Sequence, residues 1–455
     1  MRTRFAPSPT GHLHIGGART AIFAWLQAKA NNGKFLIRFE DTDKERSEKE
    51  YVDSIINSLK WLGIEPDEKP IFQSDQISKH REIALDLLKQ GLAYSCNVSP
   101  ERLEEVRKIQ QQNKQQPRYD GFSRDLNLPH EKGNVIRFKM PLDGVTTFED
   151  QVLKTISINN KELDDFIILR SDGTPTYNFC AAIDDLEMQI TNVIRGDDHI
   201  TNTLKQINIL KALNSELPEY AHLPMVLSSS GKRLSKREGA VDIQEYKKMG
   251  YLKEAMVNYL IKLGWSYKEQ ELFSVDELIK YFDIKDVNSS AAKFSQELLD
   301  FYNNHYLKKF KLEGLYEYIN ENFSLSEKFI NNNKKTEIID LLREGSNNIS
   351  ELVDELTFFY EDPYLTDEII NSIQIDKNLL VLFKEELKEV NFKDKLLIGV
   401  FIDSFLSKNN LKFPLLGKPL RLILTGKSNA PSISDLLYLI GKENCINRID
   451  NYLNS

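Results

Sequence analysis

The sequence predicts an α/β chain with a split parallel sheet in its N-terminal half and only helices in its C-terminal half. A strand–turn–helix–strand pattern fills the first forty residues, and strand–helix alternation returns around 192–203. After about residue 310, nearly every periodic segment is helical. At 455 residues the chain is also longer than the roughly 250 to 300 residues at which single cores stop growing, so we expect about three domains.

The opening residues justify the parallel sheet. A strand at 3–6 leads through a turn rich in proline and glycine to a helix predicted over 18–30, which Asn31-Asn32-Gly33 ends. Residues 35–39 then form an apolar run of strand length. Strand, helix and strand in this order make a βαβ unit. An amphipathic helix is predicted next over 51–62.

The middle of the chain changes character twice. Residues 95–150 combine a helical stretch rich in Gln, Asn and Lys with short strands such as 135–138, and we interpret them as an insertion between two halves of the sheet domain. A loop of Gly, Ser and Lys at 228–239 separates strand-like 222–227 from the mainly helical remainder.

Composition excludes several classes of protein. A charged fraction of 28%, a hydrophobic fraction of 41% and a mean hydropathy of −0.43 are typical of a soluble globular chain. We expect a cytoplasmic protein without membrane contact, because no apolar run approaches about 20 residues and the N-terminus has no signal pattern. Three scattered cysteines make a disulfide framework improbable. A net charge of −8 argues against bulk nucleic-acid binding, so any RNA contact must be local and specific.

The densest chemical signal is the segment 4–17, RFAPSPTGHLHIGG, between the first strand and its helix. Glycines remove side chains where a backbone must approach a ligand closely, and a helix N-terminus favours anions. His14 could therefore donate to phosphate oxygens. A structural turn with surface histidines is the alternative, since a glycine-rich turn alone is weak evidence.

A second signal is the segment 231–239, GKRLSKREG, with four basic residues in a loop bounded by glycines. Such a loop suits positive charge that closes over a polyphosphate and then leaves. Alone, it could equally be a solvated basic loop.

Together, the two segments resemble the two signature sequences of class I aminoacyl-tRNA synthetases. Four further segments resemble bacterial glutamyl-tRNA synthetases, and the resemblance covers essentially the whole chain: RFEDTD at 38–43, DGTPTYNF at 172–179, RGDDH at 195–199 and PLRLILTG at 419–426. It implies a Rossmann-like catalytic domain, an α+β insertion that binds the tRNA acceptor end, a connecting domain and an all-α anticodon-binding half. The implied boundaries are 1–82 and 175–218 for the catalytic domain, 83–174 for the insertion, 219–307 for the connecting domain with its phosphate loop 231–239, and 308–370 and 371–455 for two anticodon-binding subdomains.

The resemblance also implies the reaction. A carboxylate of L-glutamate attacks the α-phosphate of ATP, giving glutamyl-adenylate and pyrophosphate, and the tRNA 3′-terminal ribose then takes the glutamyl group and releases AMP. Because no protein nucleophile is needed, catalysis rests on positioning and on stabilising charge at phosphate oxygens. The implied partners are ATP with Mg²⁺, L-glutamate and tRNA-Glu, and the implied state is a monomer. The resemblance suggests that glutamate activation waits for tRNA.

Site residues follow from matching positions. The implied ATP contacts are Thr10, Gly11, His14, Gly16, Gly17, Arg233, Ser235 and Lys236, of which His14 and Lys236 serve catalysis. Arg233 stands where the class pattern has lysine, which keeps the charge and changes the donor geometry. The implied glutamate contacts are Arg4, Ala6, Ser8, Glu40, Tyr177 and Arg195. Arginines at 4 and 195 suit the two carboxylates, since a guanidinium binds carboxylate through paired donors.

Two departures from the family pattern lead to predictions, one about zinc binding and one about the choice of tRNA. Some members hold zinc in the insertion with two cysteine pairs, but here Cys96 remains while the companion positions are Val98, Ser123 and Asp125. One thiolate cannot make a four-ligand site, so we predict no structural zinc.

In the anticodon half, Thr357 occupies a position where the family associates an arginine with reading the third anticodon base, whereas Arg421 and Ile433 match other anticodon contacts. The chain could therefore also, or instead, glutamylate tRNA-Gln, unless another side chain substitutes for the missing arginine or the local alignment is shifted.

Three alternatives are weaker. Glutamyl-queuosine synthetases lack the helical region beyond 310, and glutaminyl-tRNA synthetase carries a β-barrel anticodon module. A non-catalytic tRNA-binding paralogue would have no reason to keep His14, Lys236, Arg4 and Arg195 together.

Overall fold

A computed structural model describes residues 1–42, 47–232, 234 and 242–455. The chain divides into two compact units. The first comprises Met1–Lys247 and Lys253–Leu299, and the second comprises Lys248–Leu252 and Asp300–Ser455. No helix among the described residues is both long enough and apolar enough to span a bilayer.

The strands belong to the first unit. They are β1 (Arg2–Phe5), β2 (Lys34–Phe39), β3 (Ile71–Phe72), β4 (Ala93–Cys96), β5 (Val135–Phe138), β6 (Val145–Asp150), β7 (Lys154–Asn159), β8 (Ile167–Leu169), β9 (Asn192–Gly196), β10 (Glu219–Leu223), β11 (Val226–Leu227) and β12 (Ala292–Lys293). The principal sheet has the order β3-β2-β1-β9-β10-β6-β7. Every neighbouring pair in it is parallel except β6 with β7. The parallel sheet predicted from the sequence is confirmed.

This strand order creates a switch point at β1. The chain leaves β1 through α1 and returns to β2 on one side, whereas β9 pairs with the other side of β1. Ligands of open parallel sheets bind in the crevice outside the carboxyl ends of the strands at such a point. Residues that follow β1 and those at the end of β9 are therefore brought together.

The helices of the first unit are α1 (Ile15–Ala30), α2 (Lys49–Trp61), α3 (Ile77–Lys89), α4 (Pro100–Gln112), α5 (Tyr177–Glu187), α6 (Ile200–Ala212), α7 (Ile243–Lys248), α8 (Lys253–Lys262) and α9 (Val275–Tyr281). Helix α1 begins three residues before the predicted start at 18. The reason is the N-cap, because the imidazole of His14 accepts a hydrogen bond from the Gly17 backbone N–H. The cap outweighs the poor helix propensity of the two glycines that follow.

Only part of the predicted insertion forms a sheet of its own. Strands β4, β5 and β8 make a separate three-stranded antiparallel sheet. The β6–β7 hairpin, which also lies within 83–174, instead adds to the principal sheet beside β10. Asp150 at the end of β6 thereby reaches the interior of the first unit.

The second unit is helical in every described element, as the sequence predicts. Its helices are α10 (Gln296–Lys309, which begins in the first unit), α11 (Leu312–Asn322), α12 (Glu327–Ile330), α13 (Lys335–Arg343), α14 (Ile349–Tyr360), α15 (Asp367–Ser372), α16 (Lys377–Lys388), α17 (Lys395–Lys408), α18 (Phe413–Thr425), α19 (Ile433–Ile440) and α20 (Lys442–Asn454). Arg448 on α20 is buried and donates to the carbonyl oxygens of Phe358, Glu361 and Leu424. One guanidinium thus ties together the ends of α14 and α18.

Candidate active site

The loop between β1 and α1 sets the proton position on His14. Its Nδ1 accepts from the Gly17 N–H at 3.3 Å, so the neutral ring carries its proton on Nε2. A Cβ on Gly17 would lie 3.0 Å from the Leu13 side chain, and one on Gly16 would lie 3.2 Å from the His14 ring. A side chain at Gly16 would thus crowd the His14 ring, and one at Gly17 would crowd Leu13.

Gly11 is a different case. No described atom beyond its chain neighbours lies within 4 Å of the position where a Cβ would stand, and its φ is not in the left-handed region. Packing of the described chain does not require glycine there. Thr10 and Ser8 beside it are exposed, and the Thr10 N–H donates to the Ser8 carbonyl.

Arg195, on β9, has an unusual environment. It is only 7% exposed, and none of the described carboxylates lies within ion-pair distance of it. Burial, together with the nearby positive charge of Arg4, lowers the pKa of Arg195 from its ordinary value. Its Nη1 is buried and has no hydrogen-bond partner in the described part of the chain. A buried guanidinium without a counter-ion is costly unless a ligand supplies the negative charge.

Arg4, by contrast, is fully engaged. Its Nε donates to Asp185 Oδ1 at 2.9 Å and its Nη2 to Oδ2 at 3.3 Å. Arg38 donates to the same carboxylate at 2.5 Å and to Glu40 at 3.1 Å. Although burial disfavours the charged carboxylate, the two arginines lower the pKa of Asp185 to about 2. Burial raises the pKa of Glu40 despite Arg38 and Arg4.

Tyr177 begins α5, and its hydroxyl lies 3.2 Å from Nδ1 of His199. Burial and the nearby Glu40 carboxylate raise the pKa of Tyr177, so its hydroxyl stays protonated and can donate. Burial and the charge of Arg195 lower the pKa of His199, which favours a neutral imidazole. The structure thus groups Tyr177 with His199, to which the sequence assigned no role.

The remaining predicted ATP contacts are Arg233, Ser235 and Lys236, which lie outside the described residues. Before them, the Lys232 carbonyl accepts from the Ser228 N–H at 2.8 Å and closes a turn.

Comparisons with known proteins agree with this geometry. A family model described as "tRNA synthetases class I (E and Q), catalytic domain" matches residues 1–301, and an "Anticodon binding domain" model matches residues 293–453. A glutamate–tRNA ligase of Herminiimonas arsenicoxydans is 44% identical over 100% of this chain and 99% of that protein. The chain belongs to the glutamate–tRNA ligase family of class I synthetases.

Other members of the family show the same correspondence. A glutamate–tRNA ligase of Francisella tularensis subsp. novicida is 42% identical over 99% of this chain and 98% of its own. The crystal structure of a glutamate tRNA ligase from Elizabethkingia meningosepticum in complex with its amino acid has a TM-score of 0.87 at 31% identity, covering 100% of this chain and 99% of that one. The Rossmann-like synthetase fold and helical anticodon-binding domain expected from the sequence are confirmed.

The position where some family members hold zinc is occupied by a hydrogen-bond network around Cys96. Cys96 is buried, and its sulfur lies 3.4 Å from Arg137 Nε and 3.5 Å from the Tyr119 hydroxyl. Burial disfavours the thiolate, but hydrogen bonds from the Val98 backbone, Tyr119, Ser123 and Arg137 outweigh it and lower the pKa of Cys96. Asp125 is exposed. No group of three metal-ligating side chains occurs among residues that the structure describes, and the lack of structural zinc stays a prediction.

The three anticodon candidates of the family pattern differ in exposure. Thr357 on α14 is exposed, whereas Ile433, the first residue of α19, is only 1% exposed. Arg421 is partly buried, and its Nε donates to the Pro431 carbonyl at 3.1 Å. Thr357 and Arg421 therefore have solvent-accessible side-chain surface, while Ile433 has little.

The sequence did not identify the residues that contact the buried arginines or support those contacts. Asp185 belongs to none of the quoted motifs, although its place in α5 after Tyr177 could have flagged an acidic partner for the arginines. Asp150 and His222 gave no local signal, because only sheet pairing brings them under Arg195.

Proposed function

We propose that this chain catalyses the ATP-dependent attachment of L-glutamate to tRNA-Glu through glutamyl-adenylate. The observation that carries the proposal is the buried Arg195 guanidinium at the switch point, whose Nη1 has no partner in the described chain. A glutamate carboxylate would supply the missing negative charge and hydrogen-bond acceptor.

The same arrangement supports selection of glutamate over glutamine. A neutral amide at Arg195 would leave the buried charge uncompensated, and a site built for one polar group discriminates strongly against an analogue that lacks it. Glu40, held by Arg38, is an acceptor suited to the substrate ammonium group. Tyr177 would donate beside the substrate side chain, while Ser8 and the Ala6 backbone in the loop after β1 complete the implied contacts.

For ATP, the N-terminus of α1 supplies N–H groups and a favourable dipole for phosphate. His14 presents its Nε2 proton, and the open space at Gly11 permits a close ligand approach. Arg233, Ser235 and Lys236 would add donors and positive charge on the phosphates. Mg²⁺ would enter with ATP and offset negative charge on the phosphates.

A second candidate function is glutamylation of tRNA-Gln. It is favoured by the exposed Thr357, where the family pattern has an arginine that would read the third anticodon base. A monomeric state and a cytoplasmic location remain predictions from the sequence.

Charging of tRNA-Glu and tRNA-Gln transcripts with labelled glutamate and ATP tests the proposal. We expect charging of tRNA-Glu, and a KM for glutamate that rises about 10²-fold in Arg195→Ala with little change in the KM for ATP. Arg2→Ala is the matched control, since Arg2 lies on the same strand as Arg4 but pairs with the partly exposed Glu68. Charging of neither tRNA would overturn the proposal, and an unchanged KM in Arg195→Ala would overturn the glutamate assignment.

A further inference from the structure

Three buried side chains stand in a row behind the proposed glutamate site. Arg195 on β9 is in register with His222 on β10, and Asp150 at the end of β6 is in register with Tyr220, two residues before His222. Asp150 is 3% exposed and His222 is fully buried. Three adjacent parallel strands thus aim charged and titratable groups at one another.

Hydrogen-bond partners fix the proton positions along this row. Asp150 accepts from the backbone N–H groups of Val152, Leu153 and His222 and from His222 Nδ1 at 2.6 Å. Burial disfavours the charged carboxylate, but these hydrogen bonds lower the pKa of Asp150. An ionised carboxylate only accepts, so His222 carries a proton on Nδ1.

The other ring nitrogen of His222 must then be an acceptor. Its Nε2 lies 3.4 Å from Arg195 Nε, which can only donate, and 2.8 Å from the Thr203 hydroxyl. Thr203 can donate to His222 while it accepts from Arg195 Nη2 at 2.6 Å. The geometry therefore assigns the neutral, Nδ1-protonated tautomer to His222.

This network directs the guanidinium of Arg195. Nε is turned to His222, and Nη2 donates to Thr203 and to Gln206 at 2.8 Å. The remaining guanidinium nitrogen is Nη1, which has no hydrogen-bond partner within the described ranges.

We propose that His222 and Asp150 are positioning residues that hold Arg195 with Nη1 turned to the glutamate carboxylate. The inference rests on the proposed function, because it needs Arg195 to bind glutamate. Asp150 fixes the tautomer, the neutral imidazole accepts from Arg195, and neither residue contacts substrate.

A pH dependence follows from this arrangement. Protonation of His222 would place an Nε2 proton against the Arg195 Nε proton and add a positive charge beside a guanidinium. Burial and Arg195 outweigh Asp150 and lower the pKa of His222, so the neutral form persists at neutral pH and is lost in acid. The charged or titratable groups around the ring are Asp150, Arg195, Arg4, Tyr220 and His199. Affinity for glutamate should therefore fall as the pH drops below 6.5.

Two substitutions at His222 separate positioning from bulk packing. His222→Leu removes the acceptor, and the KM for glutamate should rise about 10- to 100-fold while the KM for ATP changes less than about twofold. His222→Gln keeps an amide oxygen near the Nε2 position that cannot titrate. We expect this variant to retain most glutamate affinity and to lose the increase in KM for glutamate that is expected of wild type below pH 6.5.

Asp150→Asn tests the tautomer. An amide can donate to Nδ1 and shift the ring proton to Nε2, which opposes Arg195. The KM for glutamate should rise about tenfold in this variant, and Asp150→Asn combined with His222→Gln should recover affinity because the glutamine has no tautomer to shift.

Arg195→Ala separates failure of this inference from failure of the proposed function. If Arg195→Ala leaves the KM for glutamate unchanged, the glutamate assignment falls and the inference with it. If that KM rises but His222→Gln keeps the wild-type pH profile, or His222→Leu alters the ATP and glutamate constants equally, the inference alone is overturned. Should His222→Leu fail to fold, the pH profile of His222→Gln decides.

Discussion

The two units of the chain place charge differently. In the first, Arg4, Arg38 and Arg195 are each under 10% exposed, and the first two pair with the buried carboxylate of Asp185 on α5. In the second, the described core is apolar apart from a few polar residues such as Arg448, which donates mainly to backbone carbonyl oxygens. Recognition of a small charged substrate needs fixed groups removed from water, whereas reading RNA loop bases needs exposed side chains on a firm scaffold.

This contrast separates the expected consequences of substitution. Changes around the buried arginines should alter stability and the KM for glutamate. Changes on the exposed helix faces of the second unit should alter the choice of tRNA and leave the small-molecule constants as they are.

The largest expected effect is on stability, in Asp185→Asn. Removing this carboxylate leaves two buried guanidinium groups undercompensated, and the free energy of unfolding should fall by about 3 to 5 kcal/mol in urea denaturation at pH 7. The folded-state pKa of Asp185 is about 2, below its ordinary value, so its stabilisation is present at neutral pH and disappears as the pH falls from about 4 to 2. The difference in the free energy of unfolding between wild type and Asp185→Asn should therefore become smaller over that pH range. Glu68→Gln, at the half-exposed partner of Arg2, should change stability little. An equal loss of unfolding free energy in both variants would contradict the larger contribution expected of the buried cluster.

Lys236→Ala should slow charging about 10²- to 10³-fold, because the first step depends on stabilising negative charge on phosphate oxygens. Steady-state charging of tRNA-Glu gives kcat, and Lys89→Ala, at an exposed lysine paired with Asp86, serves as the control. A kcat within twofold of wild type would contradict a role for the basic loop in catalysis.

Thr357→Arg should move specificity toward tRNA-Glu by about 1 to 3 kcal/mol in the ratio of kcat/KM for tRNA-Glu and tRNA-Gln, since one base-reading side chain carries energy of that order. The KM for glutamate should stay constant. Leu396→Arg adds the same charge at a 75% exposed position on α17. If both variants shift the ratio alike, general electrostatic attraction and not base reading is responsible.

The smallest effect concerns two buried thiols. Hydrogen bonds to the sulfur lower the pKa of Cys96 despite its burial, whereas burial raises the pKa of Cys445 to about 12. Carbon-13 NMR of labelled cysteine across pH 7 to 11 should show Cys96 titrating first, with Cys96→Ser identifying its signal. Elemental analysis should find much less than one zinc per chain, and a full equivalent that disappears in Cys96→Ser would contradict the predicted lack of structural zinc.

Sequence patterns predicted what is local. The βαβ unit and the helical second half depend on short-range periodicity. The motif residues His14, Tyr177 and Arg195 stand in continuous segments, and their roles stay predictions. The start of α1 was missed by three residues because a side-chain cap, which depends on the His14 rotamer, outweighed the helix propensity of Gly16 and Gly17.

What sequence could not predict depends on pairing between distant strands. Asp150 lies in the predicted insertion, yet the β6–β7 hairpin carries it to the principal sheet and beneath His222. Likewise, the engagement of Arg4 by Asp185 spans 181 residues of sequence. Arg4 and Arg195 therefore looked equivalent in the sequence, whereas the described contacts show one arginine paired and the other without a counter-ion.

A crystal structure of the full chain with L-glutamate tests that difference most directly. We expect a substrate carboxylate oxygen within about 3.2 Å of Arg195 Nη1, with the His222 and Thr203 contacts to Arg195 retained. Glutamate bound with no carboxylate oxygen in reach of Arg195 would show that Arg195 does not bind the substrate carboxylate.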